Sequence, residues 1–457
     1  MNQYISKIVL DSIYFIRREN VWDILSMINP AQWLDRHSLE SAQLHNLQKV
    51  LSFAFNHIPY YRKIMEESHL HPEDIRSLKD FSGFPILTKE TVRANWSILH
   101  CGDQNVRSSL RQTSGSTGDP LKILKDRNTT AWMDAAMYRS YAWHGLAPAA
   151  RQLRIWGSEI GAVGKVRQHL RDILLNRVRF SAFDLEKGKF IKFIGKMKRF
   201  EPCFVYGYAQ SIYEFANFIL RERVDLGHLN FKVVIVTGEM IFEWQKRVIS
   251  QAFKCPVVNE YGCTEAGIIA IECPLGNMHV LSDVLLVETF QGNGRKDLGN
   301  DELLITELNN YFSPLIRYKV GDRARIVQEP CPCGRAFPVL KSLKGRSDDF
   351  IVFPSGRKVD PYVVEYIIKN IPARLGAVDQ FMIVQTSESA LGIKLISNSS
   401  NPEKIKEMIK QMWVRSYGSE LSVDIQFVIA LPKDPSGKIS CFKSLKSENS
   451  FAGARIA

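Results

Sequence analysis

Two short apolar runs, K-V-V-I-V-T at residues 232–237 and P-V-V-N-E-Y at 256–261, each end on a polar turn that carries a glycine. Runs of that length bounded by turn residues mark buried strands, and over residues 105–344 they alternate with longer amphipathic stretches. Such alternation builds an α/β sheet whose functional turns gather at the strand ends. Ahead of it, Leu44, Leu47, Leu51 and Phe55 recur near helical spacing, so residues 1–100 are expected to form a helical cover. Beyond Gly345 the pattern resets. Helices over 361–371 and 402–417 and strands over 378–386, 391–397 and 423–429 predict a compact α+β module of small-domain size. A chain of 457 residues is too long for one core. The expected fold is therefore α/β: a large multi-subdomain N-terminal domain (1–344, with the nucleotide site in 101–344) followed by a small α+β C-terminal domain (350–457).

The turns carry the chemistry. Thr113, Ser114, Gly115, Ser116, Thr117 and Gly118 read T-S-G-S-T-G, small residues whose backbone N–H groups and hydroxyls can close around phosphate oxygens. Alone, such a string is also an ordinary polar surface turn. A Walker-type P-loop is disfavoured, because Gly118 is followed by Asp119, Pro120 and Leu121 where that motif needs Lys and Ser or Thr. Tyr261, Gly262, Thr264 and Glu265 belong to Y-G-C-T-E after one apolar run, and Gly238 and Glu239 follow another. Asp322 follows Gly321, and D-P-S-G-K at 434–438 puts Lys438 on a late turn. An aromatic ring for a base, a hydroxyl for phosphate, a hard carboxylate for Mg²⁺ and a carboxylate for ribose hydroxyls would make a nucleotide site. Asp322 alone is equally a turn former. A lysine that approaches only after the chain closes suits a carboxylate being activated. In this order the turns point to ATP-dependent carboxylate activation.

The order and wording of these motifs resemble the adenylate-forming superfamily, and more narrowly its phenylacetate–coenzyme A ligase branch with the CapK-like capsule-biosynthesis relatives. The narrower likeness rests on H-I-P-Y-Y-R at 57–62, the Gly/Ser/Thr loop, P-L-I-R-Y-K-V-G-D at 314–322, C-P-C-G-R at 331–335 and G-R-S-D-D-F-I-V at 345–352. It spans nearly the whole chain. The resemblance implies that the large domain binds ATP and a carboxylic acid, forms an acyl-adenylate and releases pyrophosphate. It further implies that the small domain turns about Asp348, in a hinge over 345–349, withdrawing Lys438 and presenting another face for acyl transfer to coenzyme A. Transfer to a carrier protein or an amine, in surface-polysaccharide modification, is the alternative. Lys438, Glu265 and Arg346 would be the catalytic residues. Leu121 departs from the wider superfamily, where many relatives place a loop lysine. A nucleotide-binding protein without catalysis is a third reading, opposed by the joint presence of Glu265, Asp322, Arg346 and Lys438.

The eight cysteines are spread too thinly for a disulfide scaffold, so reduced thiols are expected. Cys273, His279, Cys331 and Cys333 offer three thiolates and an imidazole, a tetrahedral structural Zn²⁺ set, and similar cysteines occur in CapK-like relatives. Buried cysteines without a metal, with His279 a surface residue, are the alternative. Lys plus Arg number 60 against 48 Asp plus Glu, a net charge of +12 that draws nucleotides, coenzyme A or anionic lipid. Lys165, Arg167, Arg171, Arg177 and Arg179 form a basic stretch suited to coenzyme A phosphates, a membrane face or plain solvation. It lacks the interleaved aromatics of a nucleic-acid module, and no nucleic acid partner is expected. The apolar stretch at 8–16 is broken by Asp11 and Ser12 and followed by Arg17 and Arg18. It reads as an amphipathic helix, too short to span a bilayer and without a cleavage site, and a cytoplasmic location is expected. Trp132, Tyr138, Tyr206 and Tyr208 are candidates for an aryl pocket.

Overall fold

The computed structural model describes residues 3–102, 106–112, 121–157, 162–182, 187–291, 301–346, 350–359, 361, 363–372, 375, 378–397, 399–432 and 442–443. These divide into two compact units, meeting in the chain between Lys344 and Gly345.

The first unit opens with helices α1 (Gln3–Arg17), α2 (Val21–Ile28), α3 (Arg36–His57), α4 (Pro59–Glu67) and α5 (Lys89–Ala94). Asp35 starts α3 by accepting the Ser38 N–H at 2.9 Å, and Leu39, Leu47, Val50, Leu51 and Ala54 bury one face at helical spacing. Pro59 cannot continue α3. It holds Ile58 extended (φ −120°, ψ 108°) and serves as the first residue of α4. The sharp entry delivers Tyr61 into the core, where its hydroxyl donates to the Pro314 carbonyl (2.6 Å) and accepts from the Ile316 N–H (3.2 Å). Two motifs far apart in sequence are thereby fastened together.

Strands β1 (Ser108–Gln112) and β2 (Lys122–Asp126) form a separate antiparallel pair. After α6 (Arg127–Ala142) the chain alternates β3 (Gln152–Trp156), α7 (Ala162–Leu174), β4 (Arg177–Ser181), α8 (Lys187–Phe200), β5 (Phe204–Tyr208), α9 (Ala209–Arg221), β6 (Val233–Thr237), α10 (Glu243–Phe253) and β7 (Val257–Cys263). The strands β3 to β7 run parallel. Helix α9 shows why the alternation folds: Ile212, Phe215, Ala216 and Ile219 bury one stripe, each large side chain contributing ~1.5–3 kcal/mol.

The chain then turns back through β8 (Gly267–Glu272), β9 (Met278–Val280), β10 (Leu285–Phe290), β11 (Asp301–Glu307), β12 (Tyr318–Val327) and β13 (Val339–Arg346). One eleven-stranded sheet results, ordered β10-β11-β12-β13-β9-β8-β7-β6-β5-β3-β4. The buried pair Lys125 and Glu307 ties β2 to β11, and the Glu307 carboxylate also accepts from the Leu315 N–H (3.0 Å) and Asn310 Nδ2 (2.8 Å). Removing one partner of such a pair costs ~3–5 kcal/mol.

The second unit holds β14 (Ile351–Val352), β15 (Lys358–Val359), α11 (Val363–Lys369), β16 (Val378–Ser387), β17 (Ala390–Ser397), α12 (Pro402–Tyr417), β18 (Ser422–Phe427) and β19 (Phe442–Lys443). A four-stranded sheet, β18-β17-β16-β19, is its framework. The Asn401 side chain caps α12, Pro402 opens it, and Ile405, Ile409 and Trp413 are its buried residues.

Candidate functional site

Strands β5 and β6 end side by side, with Tyr208 opposite Thr237, and Thr237 lies opposite Glu260 of β7, which runs on to Cys263. Gly238 then turns the chain at φ +77°, a left-handed conformation that favours glycine. Beside it, the Glu239 carboxylate accepts the Gln210 N–H at 2.9 Å, in the first turn of α9 where a negative charge is favoured. Glu239 is thus anchored to the helix start.

Tyr261, the last residue of the run read as a strand, and Gly262, expected just beyond it, both lie inside β7 and pair with β8. A Cβ on Gly262 would sit 2.3 Å from the Gly267 carbonyl oxygen, so close packing of the two strands requires this glycine. The Tyr261 hydroxyl donates to Asp322 Oδ2 at 2.7 Å, and Gly321 (φ +93°) sets the backbone just before that carboxylate. Glu265 is buried, with Oε1 accepting the Tyr318 hydroxyl at 3.0 Å. Thr264 is exposed at the turn between β7 and β8. Burial, then the Glu265 and Asp322 carboxylates, hold the intervening Cys263 thiol protonated. Two carboxylates and a phenol from distant segments therefore converge at the end of one strand, where open α/β sheets bind ligands.

Of the other expected residues, Thr113, Ser114, Gly115, Ser116, Thr117, Gly118, Asp348 and Lys438 lie outside the described residues, and only the backbone of Arg346 is described. Leu121 is buried in the core and Lys122 is exposed on β2.

A second group on the same edge joins the expected Tyr206 and Tyr208 to Glu260, Tyr141, Trp156 and Arg154, which were not singled out from sequence. The Glu260 carboxylate is buried and accepts hydroxyls from Tyr141 (2.8 Å) and Tyr206 (3.0 Å). Burial pushes this carboxyl above the usual glutamate range, against the lowering effect of both tyrosine donors. Trp156 stacks on Tyr208 (4.1 Å between centroids) and Tyr206 (5.6 Å), and the Arg154 guanidinium lies 4.7 Å from the Trp156 and Tyr206 rings. Burial, then Arg177, lowers the affinity of Arg154 for its proton. Tyr206 and Tyr208 thus join one aromatic group. Tyr138 does not: its hydroxyl meets that of Tyr14 (3.1 Å) and its ring packs on Trp22, while Trp132 lies half-buried in the same helical layer. The clue in sequence was a charged residue inside an apolar strand, visible as Glu260 and Arg154.

Cys273, His279, Cys331 and Cys333 come together with their ligand atoms all within 4.8 Å of one another. Two tight turns present the thiols, closed by Gly276 N–H to Cys273 O (2.8 Å) and Gly334 N–H to Cys331 O (2.9 Å). The His279 Nδ1 lies 2.7 Å from the Phe337 carbonyl, which can only accept, so Nδ1 carries the proton. Burial lowers the imidazole pKa and favours its neutral form. Its Nε2 lone pair then faces Cys333 Sγ at 3.2 Å, with orientation fixed as in a metal-ligating histidine. Burial raises the Cys273 thiol to about 11, a cost that a bound cation removes by stabilising the thiolate. The donor set and its orientation fit Zn²⁺.

The profile of the CapK C-terminal domain matches residues 351–444. Protein CapK of Staphylococcus aureus is 20% identical over 405 residues, covering 88% of each chain. A phenylacetate–coenzyme A ligase of Thermus thermophilus is 22% identical over 402 residues, covering 86% of each. The crystal structure of 2-hydroxyisobutyryl-CoA ligase in its postadenylation state superposes with a TM-score of 0.73 at 18% identity, covering 91% of both chains. The fold is that of this acyl-CoA ligase, and over most of its length the chain is similar in sequence to CapK and to phenylacetate–coenzyme A ligases. Residues 351–444 match the CapK C-terminal domain in particular.

Proposed function

We propose that this protein is an AMP-forming acid–thiol ligase that activates a carboxylic acid as an acyl-adenylate and passes the acyl group to coenzyme A. The observation that carries this reading is the convergence of Tyr261, Asp322 and Glu265 at the end of β7. In the first step an acid oxygen attacks the α-phosphorus of ATP and the bond to pyrophosphate breaks. In the second, the thiol sulfur attacks the acyl carbon, AMP leaves, and the thiol proton passes to solvent.

Asp322 accepts the ribose hydroxyls, and Tyr261 offers its ring to adenine while its hydroxyl holds Asp322 in place. Gly238, Glu239, Gly262 and Thr264 complete the nucleotide wall, and Thr113 to Gly118 cradle the phosphates. Glu265, oriented by Tyr318, would hold Mg²⁺, which neutralises phosphate charge when bound. Lys438 steadies the negative charge shared by the acid and the α-phosphate, and Arg346 reaches the ribose or phosphate. Rotation about Asp348, within residues 345–349, exchanges Lys438 for the thiol-transfer face. The rings of Trp156, Tyr206 and Tyr208 favour an acid with a flat apolar body. Cys273, His279, Cys331 and Cys333 would hold a structural Zn²⁺, four protein ligands leaving no open position, in a reducing cytoplasm.

The CapK C-terminal match over 351–444 favours one second reading, delivery to a carrier protein or amine in surface-polysaccharide synthesis. The test incubates the protein with ATP, Mg²⁺ and a panel of aryl, hydroxy and short-chain acids, with coenzyme A or hydroxylamine as acceptor. AMP and acyl-CoA formed together support the ligase. AMP and hydroxamate without thioester favour the second reading, and no AMP with any acid overturns both.

A further inference from the structure

Helix α7 is amphipathic in the reverse sense for a surface helix. Gln168 and Asp172 are its buried residues, and the Asp172 carboxylate takes two bonds from the Arg179 guanidinium on β4 (2.7 and 2.9 Å). Its apolar side chains face out: Val163 is 84% exposed, Val166 61%, Leu170 56%, Ile173 48% and Leu174 43%. Their spacing, i, i+3, i+7, i+10 and i+11, puts all five on one stripe opposite the buried polar pair. Helix α1 packs beside α7 and, although it buries an apolar face, also carries apolar side chains on its outer face. Ser6, Leu10 and Tyr14 are buried, whereas Tyr4, Ile5, Ile8, Phe15 and Ile16 are exposed, Phe15 by 85%. Scattered exposed apolar residues are normal, but two neighbouring helices that both turn an apolar stripe outward form a contact surface.

The charges beside the stripes choose the occupant. On α7, Arg167 and Arg171 lie along one flank of the apolar arc and Lys165 along the other, all exposed. Exposed Arg17 and Arg18 close α1. Apolar residues between long cationic side chains suit a bilayer interface, where the stems lie among the acyl chains and the cations meet anionic headgroups. A second copy of this surface would bring like charges together in a two-fold pairing. No helix among the described residues is long and apolar enough to cross a membrane, so the contact is peripheral.

We propose that the outer faces of α1 and α7 together dock this protein on an anionic lipid bilayer. The inference is independent of the reaction chemistry, and its test needs no substrate. The full chain is sedimented with phosphatidylcholine vesicles with and without phosphatidylglycerol, at low and high salt. The expected result is binding to phosphatidylglycerol vesicles, weakened by salt. The double substitutions Val166→Glu with Leu170→Glu, and separately Ile8→Glu with Phe15→Glu, should each weaken it by about tenfold or more. Both pairs are exposed, so melting temperature should hold, and two helices provide two chances at a folded variant. Absence of sedimentation with anionic vesicles, or unchanged binding by both variants, would overturn the proposal. So would a solution dimer that these substitutions dissociate in a protein that does not bind vesicles.

Discussion

The Tyr261 hydroxyl and the Asp322 carboxylate, 61 positions apart in the chain, are joined by a 2.7 Å hydrogen bond. Burial, then the adjacent Asp322 charge, holds the Tyr261 phenol well above its ordinary pKa, so it remains a donor at any physiological pH. Asp322, expected from the sequence at a turn, lies inside β12, and this bond ties that strand to β7.

If that pair binds the nucleoside, Tyr261→Phe should raise KM for ATP by about tenfold, the loss of one hydrogen bond to a charged group. Asp322→Ala should raise it by on the order of 10²-fold, since the ribose contacts go as well. Steady-state kinetics in ATP check both. Wild-type KM in the two variants would remove this pair from the nucleotide site.

Glu265→Gln preserves size and removes a hard anionic ligand. AMP formation should fall by on the order of 10²-fold, with the Mg²⁺ optimum displaced to higher concentration. Tyr318→Phe, which removes only the orienting hydroxyl, should have a smaller effect in the same direction. A Mg²⁺ titration of initial rates reads both, and an unmoved optimum in Glu265→Gln would take the metal elsewhere.

The cysteine cluster predicts about one zinc per chain by elemental analysis, the stoichiometry of a four-ligand site. Cys331→Ser should lose the metal and lower Tm by several degrees, with each lost kcal/mol worth roughly 2–4 °C in a domain of ordinary size. Zinc-free protein of full stability would return these thiols to plain packing.

The strands that position the site were legible because alternation of short β-branched runs with amphipathic stretches has few solutions. Residues 402–417 were expected as a helix, and α12 occupies them. The Cys/His cluster was legible for another reason, that its donor types are few and chemically matched. The role of Gly262 was not, because a glycine needed for close strand packing looks in sequence like one needed for a ligand. Glu260 and Arg154 were missed because period-2 patterning reports which face a residue occupies and cannot say that Tyr141, from the helix α6, meets it there. Tyr138 failed as a pocket residue for the same reason: its partners Tyr14 and Trp22 come from the N-terminal helices.

The raised Glu260 carboxyl makes a pH prediction. Its folded pKa lies above the unfolded value, so its contribution to stability is fully present below the unfolded pKa and is lost as pH rises through the folded one. Glu260→Gln has no proton to lose. The unfolding free energy of wild type minus that of Glu260→Gln should therefore fall as pH rises above about 4.3, the ordinary glutamate value. Urea titrations across that range check it: a flat difference would place Glu260 in a solvated setting, and a rising one would mean that the hydroxyl donors and Arg154 outweigh burial.

Acid-dependent exchange of labelled pyrophosphate into ATP isolates the first half-reaction from any acceptor, and so bears most directly on carboxylate activation. Wild-type protein should catalyse exchange with at least one acid in a broad panel, absolutely dependent on that acid and on Mg²⁺. Lys438→Ala should reduce it by on the order of 10²-fold or more while still converting a supplied acyl-adenylate to product. Exchange that proceeds without acid, or that Lys438→Ala leaves unchanged, would contradict the account.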